Sequence, residues 1–376
     1  MKRLGIYVHV PFCKRKCNYC DFYSIKWNRE VEERYVKSLV KEINSYNGME
    51  YVVDTIFFGG GTPTIIEPQN IEKIIHEIKN NFKVDKNSEI TIEANPNTLT
   101  YENLSVYKKA GINRLSIGVQ SLNNNILENI GRLHNSEEAL LAIKRAKETG
   151  YENINVDVMF NIPGQTTEDI EETVIQIIDE EVNHISFYSL KLEKGTPMFS
   201  MERDHKIFMP EENIEREMYY TGRKIMEDRK IYQYEISNFA KKGFECKHNL
   251  KYWNQEEYIG FGPSAHSFLN NERYGNVSNI NEFCNNAENN IFNRNIHESL
   301  NAEALEFEYI MLKLRLTEGL SLNIFNQKFN IDFNDKYSKQ IEYLIGNKLL
   351  IYNENNIKLT QFGMDISNFV FEKFMI

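Results

Sequence analysis

Hydrophobic positions in the first half of the chain alternate between two periodicities. Short runs rich in valine and isoleucine indicate buried strands, and the amphipathic segments between them have helical spacing. Strands that alternate with helices pair in parallel, so the pattern predicts an α/β fold, with either an open doubly wound sheet or a barrel. The six strand–helix units are fewer than the eight of a full barrel. The predicted strands are Leu4–Val10, Thr55–Phe58, Glu89–Glu93, Arg114–Ile117, Ile154–Val158 and His184–Leu190, and the predicted helices are Val31–Tyr46, Pro68–Phe82, Tyr101–Ala110, Ser136–Thr149 and Thr167–Asp179.

The alternation stops near residue 195, and a different pattern begins near residue 300. Between them, a polar helix is predicted at Glu211–Glu227, and the asparagine-rich segment Asn270–Asn295 predicts a surface excursion or linker. After residue 300, helical patterns precede a β-hairpin and a last helix, an order that resembles a small winged-helix unit. Its recognition segment is not basic, which favours a structural role or a protein contact over DNA binding. The predicted units are residues 1–195, the strand–helix unit; 196–299, its extension; and 300–376, the winged-helix-like unit.

The composition is that of a folded, acidic protein. The 376 residues are 41% hydrophobic and 26% charged, which supplies a core and is not typical of disorder. The net charge of −10 argues against a surface built to hold nucleic-acid backbone, which would be basic. No apolar run approaches the ~18–20 residues that span a bilayer, and the start of the chain lacks the pattern of a signal peptide. We therefore expect a soluble, cytoplasmic protein without nucleic-acid partners or a transmembrane segment.

Three of the five cysteines fall within eight residues, as Cys13, Cys17 and Cys20. An odd number of cysteines in a cytoplasmic chain disfavours a disulfide framework and favours a metal or redox site. Three thiolates at CxxxCxxC spacing can hold three irons of a [4Fe–4S] cluster, and the fourth iron is then open to a ligand with an amine and a carboxylate. The alternative is zinc, for which His9 is the candidate fourth ligand, but its place on a predicted strand makes this awkward. The cluster is the favoured interpretation.

A run of glycines, Gly59-Gly60-Gly61, directly follows the second predicted strand and precedes Thr62 and Pro63. Because glycine lacks a Cβ, such residues let a ligand approach the backbone closely. A glycine turn alone is weak evidence for a ligand, since most such turns are only turns. Its position at the carboxyl end of a strand favours binding, because α/β folds of both kinds place their ligands there.

Polar side chains lie at or after the ends of other predicted strands. Glu93 ends the third strand, Gln120 follows the fourth, Asp157 lies in the fifth, and Arg132 follows the helix after the fourth. Taken singly, each has an ordinary structural explanation, such as a charge at a helix terminus or a surface ion pair. Parallel strands bring their carboxyl ends to one rim, so together these groups predict a site for a ligand with hydroxyls, an amine and a carboxylate.

Five segments of this chain resemble the radical S-adenosylmethionine (SAM) superfamily, and more narrowly its coproporphyrinogen dehydrogenase-like branch: Tyr7–Cys13, the cysteine triplet, Gly59–Thr64, Ile92–Pro96 and Arg114–Gln120. The resemblance implies a partial (β/α)6 barrel with a small α+β winged-helix-like C-terminal domain and a [4Fe–4S] cluster at the barrel mouth. It implies an electron donor as a partner, because in this superfamily the reduced cluster cleaves SAM to methionine and a 5′-deoxyadenosyl radical. It also implies cluster ligation by Cys13, Cys17 and Cys20, and cofactor contacts by Tyr7, Tyr19, Gly60, Gly61, Thr62, Glu93, Gln120, Arg132 and Asp157.

One position separates two relatives within that branch. The oxygen-independent coproporphyrinogen III dehydrogenase, which decarboxylates propionates by a radical route, carries a fourth cysteine two residues after the third. Here that residue is Phe22, which cannot replace a thiol. The HemW family of haem chaperones has three cysteines and an aromatic residue at this place. The resemblance therefore implies a haem chaperone without coproporphyrinogen dehydrogenase activity; the dehydrogenase itself and a zinc-stapled binding protein are the alternatives.

The haem chaperones of this branch also have a His-Asn-x-x-Tyr-Trp motif, which this chain carries at 248–253. A histidine flanked by aromatic rings can offer its imidazole to haem iron while the rings pack on the porphyrin. His248 is therefore the predicted haem ligand, with Cys246 and His266 as weaker candidates and a purely structural histidine as the ordinary alternative. The implied partners are haem and haem-accepting apo-proteins. Membrane-associated respiratory enzymes are among the possible recipients, and this protein would bind them from the membrane surface.

Overall fold

The computed structural model of the chain describes residues 1–292, 294–353 and 355–375. Among the described helices, none is long and apolar enough to cross a membrane. The strands are β1 (Lys2–Val10), β2 (Phe12–Cys13), β3 (Ile25–Lys26), β4 (Tyr51–Gly60), β5 (Lys83–Ala94), β6 (Arg114–Gln120), β7 (Asn153–Phe160), β8 (His184–Ser189), β9 (Tyr232–Glu235), β10 (Asn238–Ala240), β11 (Tyr258–Phe261), β12 (His266–Leu269), β13 (Glu272–Asn276), β14 (Arg294–Ser299), β15 (Leu320–Ser321), β16 (Leu350–Asn353) and β17 (Asn356–Leu359). The helices are α1 (Arg29–Asn44), α2 (Pro68–Asn81), α3 (Tyr101–Ala110), α4 (Asn124–Asn129), α5 (Ser136–Glu148), α6 (Thr167–Asp179), α7 (Pro197–Arg203), α8 (Glu212–Asp228), α9 (Lys247–Trp253), α10 (Ile280–Glu288), α11 (Ala302–Arg315), α12 (Leu322–Phe329), α13 (Phe333–Gly346), α14 (Gln361–Asp365) and α15 (Ser367–Glu372).

Seven parallel strands form the centre of the structure: the six strands of the strand–helix units and β11, which pairs with β1. The strands of the main sheet run in the order β14-β13-β12-β11-β1-β4-β5-β6-β7-β8-β10-β9. β11, β1 and β4–β8 pair in parallel, whereas the remaining strands at both ends of the sheet pair antiparallel. Helices connect the parallel strands, because parallel neighbours need a crossover between them. The predicted α/β fold with a partial barrel of six strand–helix units is confirmed.

Side chains alternate between the two faces of each parallel strand. On β1, Leu4, Ile6 and Val8 are fully buried in the core between the sheet and its helices. The alternate residue Tyr7 points into the barrel. The barrel interior contains a polar space of about 240 Å³, termed the inner cavity, whose lining residues are Tyr7, Phe57, Glu93, Arg114, Ser116, Asn155, Asp157, Ser186, His248, Asn249 and Tyr252.

The crossover helices α5 and α6 begin at reciprocal polar caps. In α5 the Asn135 side chain accepts a hydrogen bond from the N–H of Glu138, and the Glu138 carboxylate accepts one from the N–H of Asn135. Thr166 and Asp169 form the same capping box at the start of α6. Because these bonds satisfy N–H groups that have no partner within the helix, they fix where each helix begins after its strand.

The asparagine-rich segment 270–295 was expected to be a surface excursion or a linker, and the linker alternative is wrong. Its described residues include β13, which extends the main sheet, and α10, which packs against α1 and buries Ile280 and Phe283. The asparagines occupy positions that favour this residue type: Asn279 caps α10, and Asn271 has a positive φ of 61° in the turn before β13. The composition reflects turns and caps between short elements.

The C-terminal part of the chain has a core of its own. Helices α11–α15 accompany the three-stranded sheet β15-β17-β16, with Phe325, Phe333 and Leu344 fully buried. This part contacts residues 196–299 through a hydrogen bond, which the fully buried Glu235 of β9 accepts from Arg315 of α11 at 3.1 Å. The domain boundaries at residues 195 and 299 stay predictions.

Candidate functional site

The carboxyl ends of the parallel strands open into a space of about 630 Å³, termed the mouth cavity. Ligands bind at this end in α/β barrels. The cavity is lined by the three predicted cluster ligands and eight predicted cofactor residues: Cys13, Cys17, Cys20, Tyr19, Gly60, Gly61, Thr62, Glu93, Gln120, Arg132 and Asp157. Two other predicted residues, Tyr7 and His248, lie deeper and line the inner cavity, which shares Glu93 and Asp157 with the mouth cavity.

The three cysteines lie on the loop that follows β1. Cys13 belongs to β2, whose parallel pairing with β3 fixes one side of the loop. On the other side, the N–H of Asn18 donates to the carbonyl of Ile130 at 3.0 Å, and the N–H of Cys20 donates to that of Cys17 at 3.3 Å. All three thiols are free and half-buried. The loop therefore presents three sulfur donors at the mouth cavity.

Two side chains from elsewhere in the barrel donate hydrogen bonds to these sulfurs. The Thr62 hydroxyl donates to Sγ of Cys13 at 3.8 Å, and Nη1 of Arg132 donates to Sγ of Cys17 at 3.7 Å. Such bonds stabilise thiolate charge and tune the potential of an iron–sulfur centre. Burial raises the pKa of the Cys13 thiol, and it raises that of Cys20 to about 11. These two thiols are therefore protonated at neutral pH until a metal displaces their protons.

The donors presented at the mouth cavity are three thiols on one loop. A [4Fe–4S] cluster takes thiolate ligands spread over its irons, whereas structural zinc takes four Cys or His ligands at one ion. His9, the candidate fourth zinc ligand, is engaged through both ring nitrogens: Nδ1 lies 3.0 Å from the Tyr7 hydroxyl, and Nε2 lies 2.9 Å from the Tyr23 carbonyl.

The glycines at the end of β4 allow the backbone to pack directly against β1 and the cysteine loop. Gly60 has a φ of 110°, in the left-handed region, and a Cβ there would lie 2.6 Å from the His9 ring. A Cβ on Gly61 would lie 2.5 Å from the carbonyl oxygen of Phe12, which accepts a hydrogen bond from the N–H of Thr62 at 2.7 Å. Any other residue would displace the loop, so this side of the cavity depends on the missing Cβ atoms.

Two half-buried carboxyl groups, Glu93 and Asp157, line both cavities. Burial, and after it the charge of Asp157, raises the pKa of Glu93 to about 8, and burial also raises the pKa of Asp157. The Glu93 carboxylate accepts a hydrogen bond from the N–H of Gly60 at 3.2 Å, and that of Asp157 accepts one from Asn155 at 2.7 Å. Because burial penalises an unpaired carboxylate, a cationic group of a ligand placed beside them would be stabilised when they ionise.

Two buried polar atoms at the mouth cavity have no hydrogen-bond partner in the described part of the chain. They are the donor Nε of Arg132 and the acceptor Oδ1 of Asn95. Buried polar groups are normally paired, so an unused donor and an unused acceptor on one cavity wall are typical of a ligand site. A ligand that carries both a carboxylate and an amine would satisfy both atoms.

Tyr7 and Tyr19 lie at different depths. Tyr19 lines the mouth cavity, where burial raises the pKa of its hydroxyl. Tyr7 lines the inner cavity and is linked to the cysteine loop through His9, whose ring contacts both the Tyr7 hydroxyl and the Tyr23 carbonyl. The predicted contact between Tyr7 and SAM stays a prediction.

His248 lies deep in the barrel on α9, away from the mouth cavity. It is 1% exposed, its Nδ1 is 2.9 Å from the Thr55 hydroxyl, and its Nε2 is 2.8 Å from the Tyr252 hydroxyl. The ring stacks on Phe57 with centroids 5.2 Å apart. Burial lowers the pKa of His248 to about 3, so the ring is neutral. Both nitrogens are engaged in this conformation, and the predicted bond to haem iron stays a prediction.

The two weaker haem candidates do not join the mouth cavity either. Cys246 is fully buried, and its Sγ lies 3.6 Å from Oε1 of Glu89. Glu89 also accepts hydrogen bonds from the N–H groups of Lys247 and His248 at 3.2 Å each, which anchors the start of α9. His266 is exposed on β12.

Several residues that the sequence interpretation did not name complete the wall of the mouth cavity. The Tyr188 hydroxyl donates to Oε1 of Gln120 at 2.8 Å and so orients that amide. Asn95, Met159 and Leu190 line the cavity at or just after the ends of other parallel strands. That position is the signal that could have found Asn95 and Tyr188. Met159 and Leu190 carry no such signal, because in sequence they resemble core residues.

Comparisons with known proteins agree with this arrangement. The family model described as the Radical SAM superfamily matches residues 7–177, and that of the HemN C-terminal domain matches residues 300–366. A protein of Bacillus subtilis (strain 168) named "Heme chaperone HemW" is 36% identical, with 98% of each chain covered. A protein of the same name from Lactococcus lactis subsp. lactis (strain IL1403) is 34% identical over 98% of this chain and 97% of its own. The solved structure of Escherichia coli coproporphyrinogen III oxidase (HemN), described as a radical SAM enzyme, superposes with a TM-score of 0.87 at 20% identity and covers 99% of this chain and 90% of its own, which shows a shared fold.

The partial barrel, the three-cysteine loop and the polar mouth cavity together define a radical SAM protein, a class whose members carry a [4Fe–4S] cluster and SAM. The resemblance to this superfamily that the sequence motifs indicated is confirmed. The chain belongs to the HemW family of haem chaperones.

Proposed function

We propose that this protein is a haem chaperone that holds a [4Fe–4S] cluster and SAM at the mouth cavity, binds haem and delivers it to haem-dependent proteins. The observation that carries the proposal is the cysteine loop, which presents three free thiols to a cavity of about 630 Å³ and has Phe22 where a fourth cysteine would stand. That volume lies in the range of ~300–1,000 Å³ usual for small-molecule sites. Full-length identity to proteins named as haem chaperones supports the delivery of haem.

In this proposal, different residues of the mouth cavity hold the [4Fe–4S] cluster and SAM. Cys13, Cys17 and Cys20 would ligate three irons, which leaves the fourth for the amine and carboxylate of SAM. Glu93 is assigned to a cationic group of the ligand, because burial disfavours its carboxylate when no cation lies beside it. Arg132 is assigned to the ligand carboxylate, because its Nε has no hydrogen-bond partner among the described residues. The remaining contacts are assigned to Tyr7, Tyr19, Gly60, Gly61, Thr62, Gln120 and Asp157. When bound and reduced, the cluster would be able to supply an electron to the sulfonium of SAM.

The proposed partners are haem, the apo-proteins that accept it and an electron donor. The proposed recipients include membrane-associated respiratory enzymes, which the protein would bind from the membrane surface. The proposed compartment is the cytoplasm, because three free thiols close together on one loop need reducing conditions to stay available for iron.

The alternative function is that of a coproporphyrinogen III dehydrogenase. The likeness to the E. coli enzyme supports the common fold, and it does not extend to activity at 20% identity. Phe22 speaks against this function, because its side chain is 64% exposed at the mouth cavity and provides no thiol.

The test uses the full chain reconstituted with ferrous iron and sulfide in the absence of oxygen. We expect about four irons per chain, a change in the electron paramagnetic resonance of the reduced cluster on addition of SAM, and a Soret band on hemin titration that transfers to an apo-haem protein. The Cys17→Ser variant, checked for native circular dichroism, should lose most of the iron. Conversion of coproporphyrinogen III to protoporphyrinogen IX would support the alternative, and either stoichiometric zinc without iron or a failure to bind hemin would contradict the proposal.

A further inference from the structure

We propose that a groove between the barrel and the C-terminal unit is the docking site for a segment of the haem-accepting protein that carries lysine or arginine beside apolar side chains. The inference rests on the proposed function, because that function requires a recipient to approach the barrel. The groove lies between α8 and α14 and is termed the lateral groove. Its walls include Glu212, Glu215, Arg216 and Tyr220 of α8, and Phe362 and Asp365 of α14.

The walls of the lateral groove are held together by contacts of Asp365. Its carboxylate accepts hydrogen bonds from the Arg216 guanidinium at 3.1 Å and from the Tyr220 hydroxyl. α8 packs in turn on α6, one of the crossover helices of the barrel. The space between the walls measures about 620 Å³, and junctions between structural units are a usual position for binding sites. The lateral groove is therefore formed before any partner binds.

Apolar side chains are exposed along the lateral groove. Phe362 is 56% exposed, Tyr220 40% and Ile366 37%, and Met209 and Pro210 also line the groove. Exposed apolar surface that is rimmed by polar groups is typical of a protein–protein contact. The aliphatic stems of lysine and arginine cover such surfaces while their charged ends reach a polar rim.

The charged groups of the lateral groove leave an excess of negative charge. Among the described residues that line it, three carry carboxylates, Glu212, Glu215 and Asp365, and one carries a cation, Arg216. The Arg216 guanidinium lies 3.1 Å from Asp365 and 3.5 Å from Glu215, so it is already shared between two carboxylates. Glu212 is exposed and has no ion pair in the described part of the chain. This excess complements a basic segment, and it disfavours nucleic acid and anionic lipid as occupants.

An unused acceptor on the wall points to the same chemistry. Asn161 lines the lateral groove and is 7% exposed, and its Oδ1 is buried without a hydrogen-bond partner among the described residues. Buried polar atoms are normally paired, so this oxygen is available to a donor that a ligand supplies. The ammonium of lysine and the guanidinium of arginine donate hydrogen bonds and accept none, so they match both this oxygen and the carboxylates.

Ser189 connects the lateral groove to the mouth cavity. It ends β8 and lines the mouth cavity, and its hydroxyl donates to Oε1 of Glu215 at 2.8 Å and accepts from Nδ2 of Asn161 at 3.1 Å. A recipient held in the groove would lie beside the opening of the barrel, which raises its effective concentration there. The electron donor, by contrast, must approach the cysteine loop, which follows β1 at the other edge of the six strand–helix units. The haem-accepting protein is therefore the assigned occupant.

The binding test uses the full chain, reconstituted with its cluster, and fluorescein-labelled peptides in anisotropy titrations. One peptide alternates lysine with leucine and phenylalanine, and the matched peptide has glutamate in place of lysine. We expect the wild type to bind the lysine peptide more tightly, and the difference to shrink between ~0.1 and ~1 M salt, because screening weakens contacts between exposed charges. Equal binding of the two peptides, or no binding of either, would overturn the proposal.

Variants with native circular dichroism locate the bound peptide. Glu212→Lys should weaken binding of the lysine peptide by about three- to tenfold, because it replaces an attractive charge with a repulsive one. Phe362→Ala should weaken it by about two- to tenfold through loss of an aromatic contact. The matched controls are Glu72→Lys, at an exposed carboxylate of α2, and Tyr343→Ala, at a ring that is 49% exposed on α13, and both should bind as the wild type does. Wild-type affinity in both groove variants would contradict the proposal.

Haem transfer separates this inference from the function on which it rests. The acceptors are two forms of apomyoglobin that carry either the lysine or the glutamate peptide as an extension, and transfer from the hemin-loaded chain is followed by the Soret band. The lysine form should accept haem faster from the wild type, and Glu212→Lys should lose this advantage. If the chain binds no hemin, the proposed function fails, and the peptide titration still tests the groove. If both forms accept haem at the same rate, the haem chaperone stands and the assigned occupant is wrong.

A second copy of the chain is the competing occupant. Analytical ultracentrifugation of the wild type, Glu212→Lys and Phe362→Ala tests it. We expect the same mass for all three proteins. Self-association of the wild type that both variants lose would assign the lateral groove to a second copy and would overturn the proposal.

Discussion

Nη1 of Arg132 donates a hydrogen bond to Sγ of Cys17 at 3.7 Å, although the two residues are 115 positions apart in the chain. The same guanidinium donates to the carbonyl of Gly118 at the end of β6, and its Nε is buried without a partner among the described residues. One side chain therefore connects the cysteine loop, the rim of the barrel and an unused donor on the cavity wall. A change at Arg132 should alter the cluster and the bound ligand together.

The variant Arg132→Gln should assemble a cluster with a more negative reduction potential and bind SAM more weakly. Loss of a positive charge and a hydrogen bond beside a thiolate destabilises the reduced state, and loss of groups behind metal ligands typically costs ~10–100-fold in affinity or activity. A redox titration followed by electron paramagnetic resonance measures the potential. Arg229→Gln is the control, because Arg229 is half exposed and pairs with Asp179 on the surface at 3.1 Å. An unchanged potential and SAM affinity in Arg132→Gln would contradict the assigned role.

The glycine turn allows a matched comparison between two positive-φ glycines. Gly60→Ala should lower the free energy of unfolding by about 1–3 kcal/mol more than Gly48→Ala, and it should abolish SAM binding. Both positions have positive φ, 110° and 91°, so both variants incur the backbone cost. A new Cβ at Gly60 meets the His9 ring at 2.6 Å, whereas at Gly48 nothing lies within 4 Å. Urea unfolding measures the difference, and equal losses would mean that the His9 ring moves aside freely.

The order of strands and helices was predictable because the pattern is local. A buried run rich in valine and isoleucine must be covered on both faces of the sheet, and an amphipathic helix must cover an apolar surface. The spacing of hydrophobic residues alone therefore predicts β4 and α2. The residues of the mouth cavity were predictable for a related reason. Parallel strands bring their carboxyl ends to one rim, so the end of a strand indicates the site even when the partners are far apart in sequence.

The depth of each residue in the barrel was not predictable, because it depends on contacts between distant segments. Tyr7 lies two positions before His9 on β1 and faces the inner cavity, which no pattern in the chain indicates. His248 belongs to a short helix whose start is held by Glu89, 159 positions earlier. Nothing near His248 in sequence shows that its imidazole is closed off by Thr55 and Tyr252.

The anchoring of α9 predicts a large effect at Lys251. Lys251→Met should lower the free energy of unfolding by up to about 3–5 kcal/mol, because it removes a charge that is 4% exposed and breaks the 2.8 Å ion pair with Asp54, which keeps only its 3.2 Å pair with the exposed Arg3. Lys224→Met is the matched control: its ion pair with Asp228 has a similar length of 3.0 Å, but both side chains are more than half exposed. That variant should change stability by about 0–1 kcal/mol. Equal effects in urea unfolding would show that burial of the Lys251 pair does not stabilise α9.

The neutral, buried state of His248 predicts a pH dependence of stability. Burial lowers its pKa in the folded protein from the usual 6.5 to about 3, so between these values the unfolded chain binds one more proton at this residue. The stabilisation is therefore complete above pH 6.5 and decreases as the pH falls, by about 1.4 kcal/mol per pH unit from this group.

Replacement by a residue that does not titrate isolates that contribution. The difference in unfolding free energy between the wild type and His248→Asn should be largest near pH 7 and shrink steadily toward pH 4, because only the wild type loses stability by protonation of this residue. His76→Asn, which changes a side chain that is 70% exposed, should show no such trend. A constant difference between wild type and His248→Asn across this range would mean that the imidazole is open to water, and it would restore His248 as an accessible ligand for haem iron.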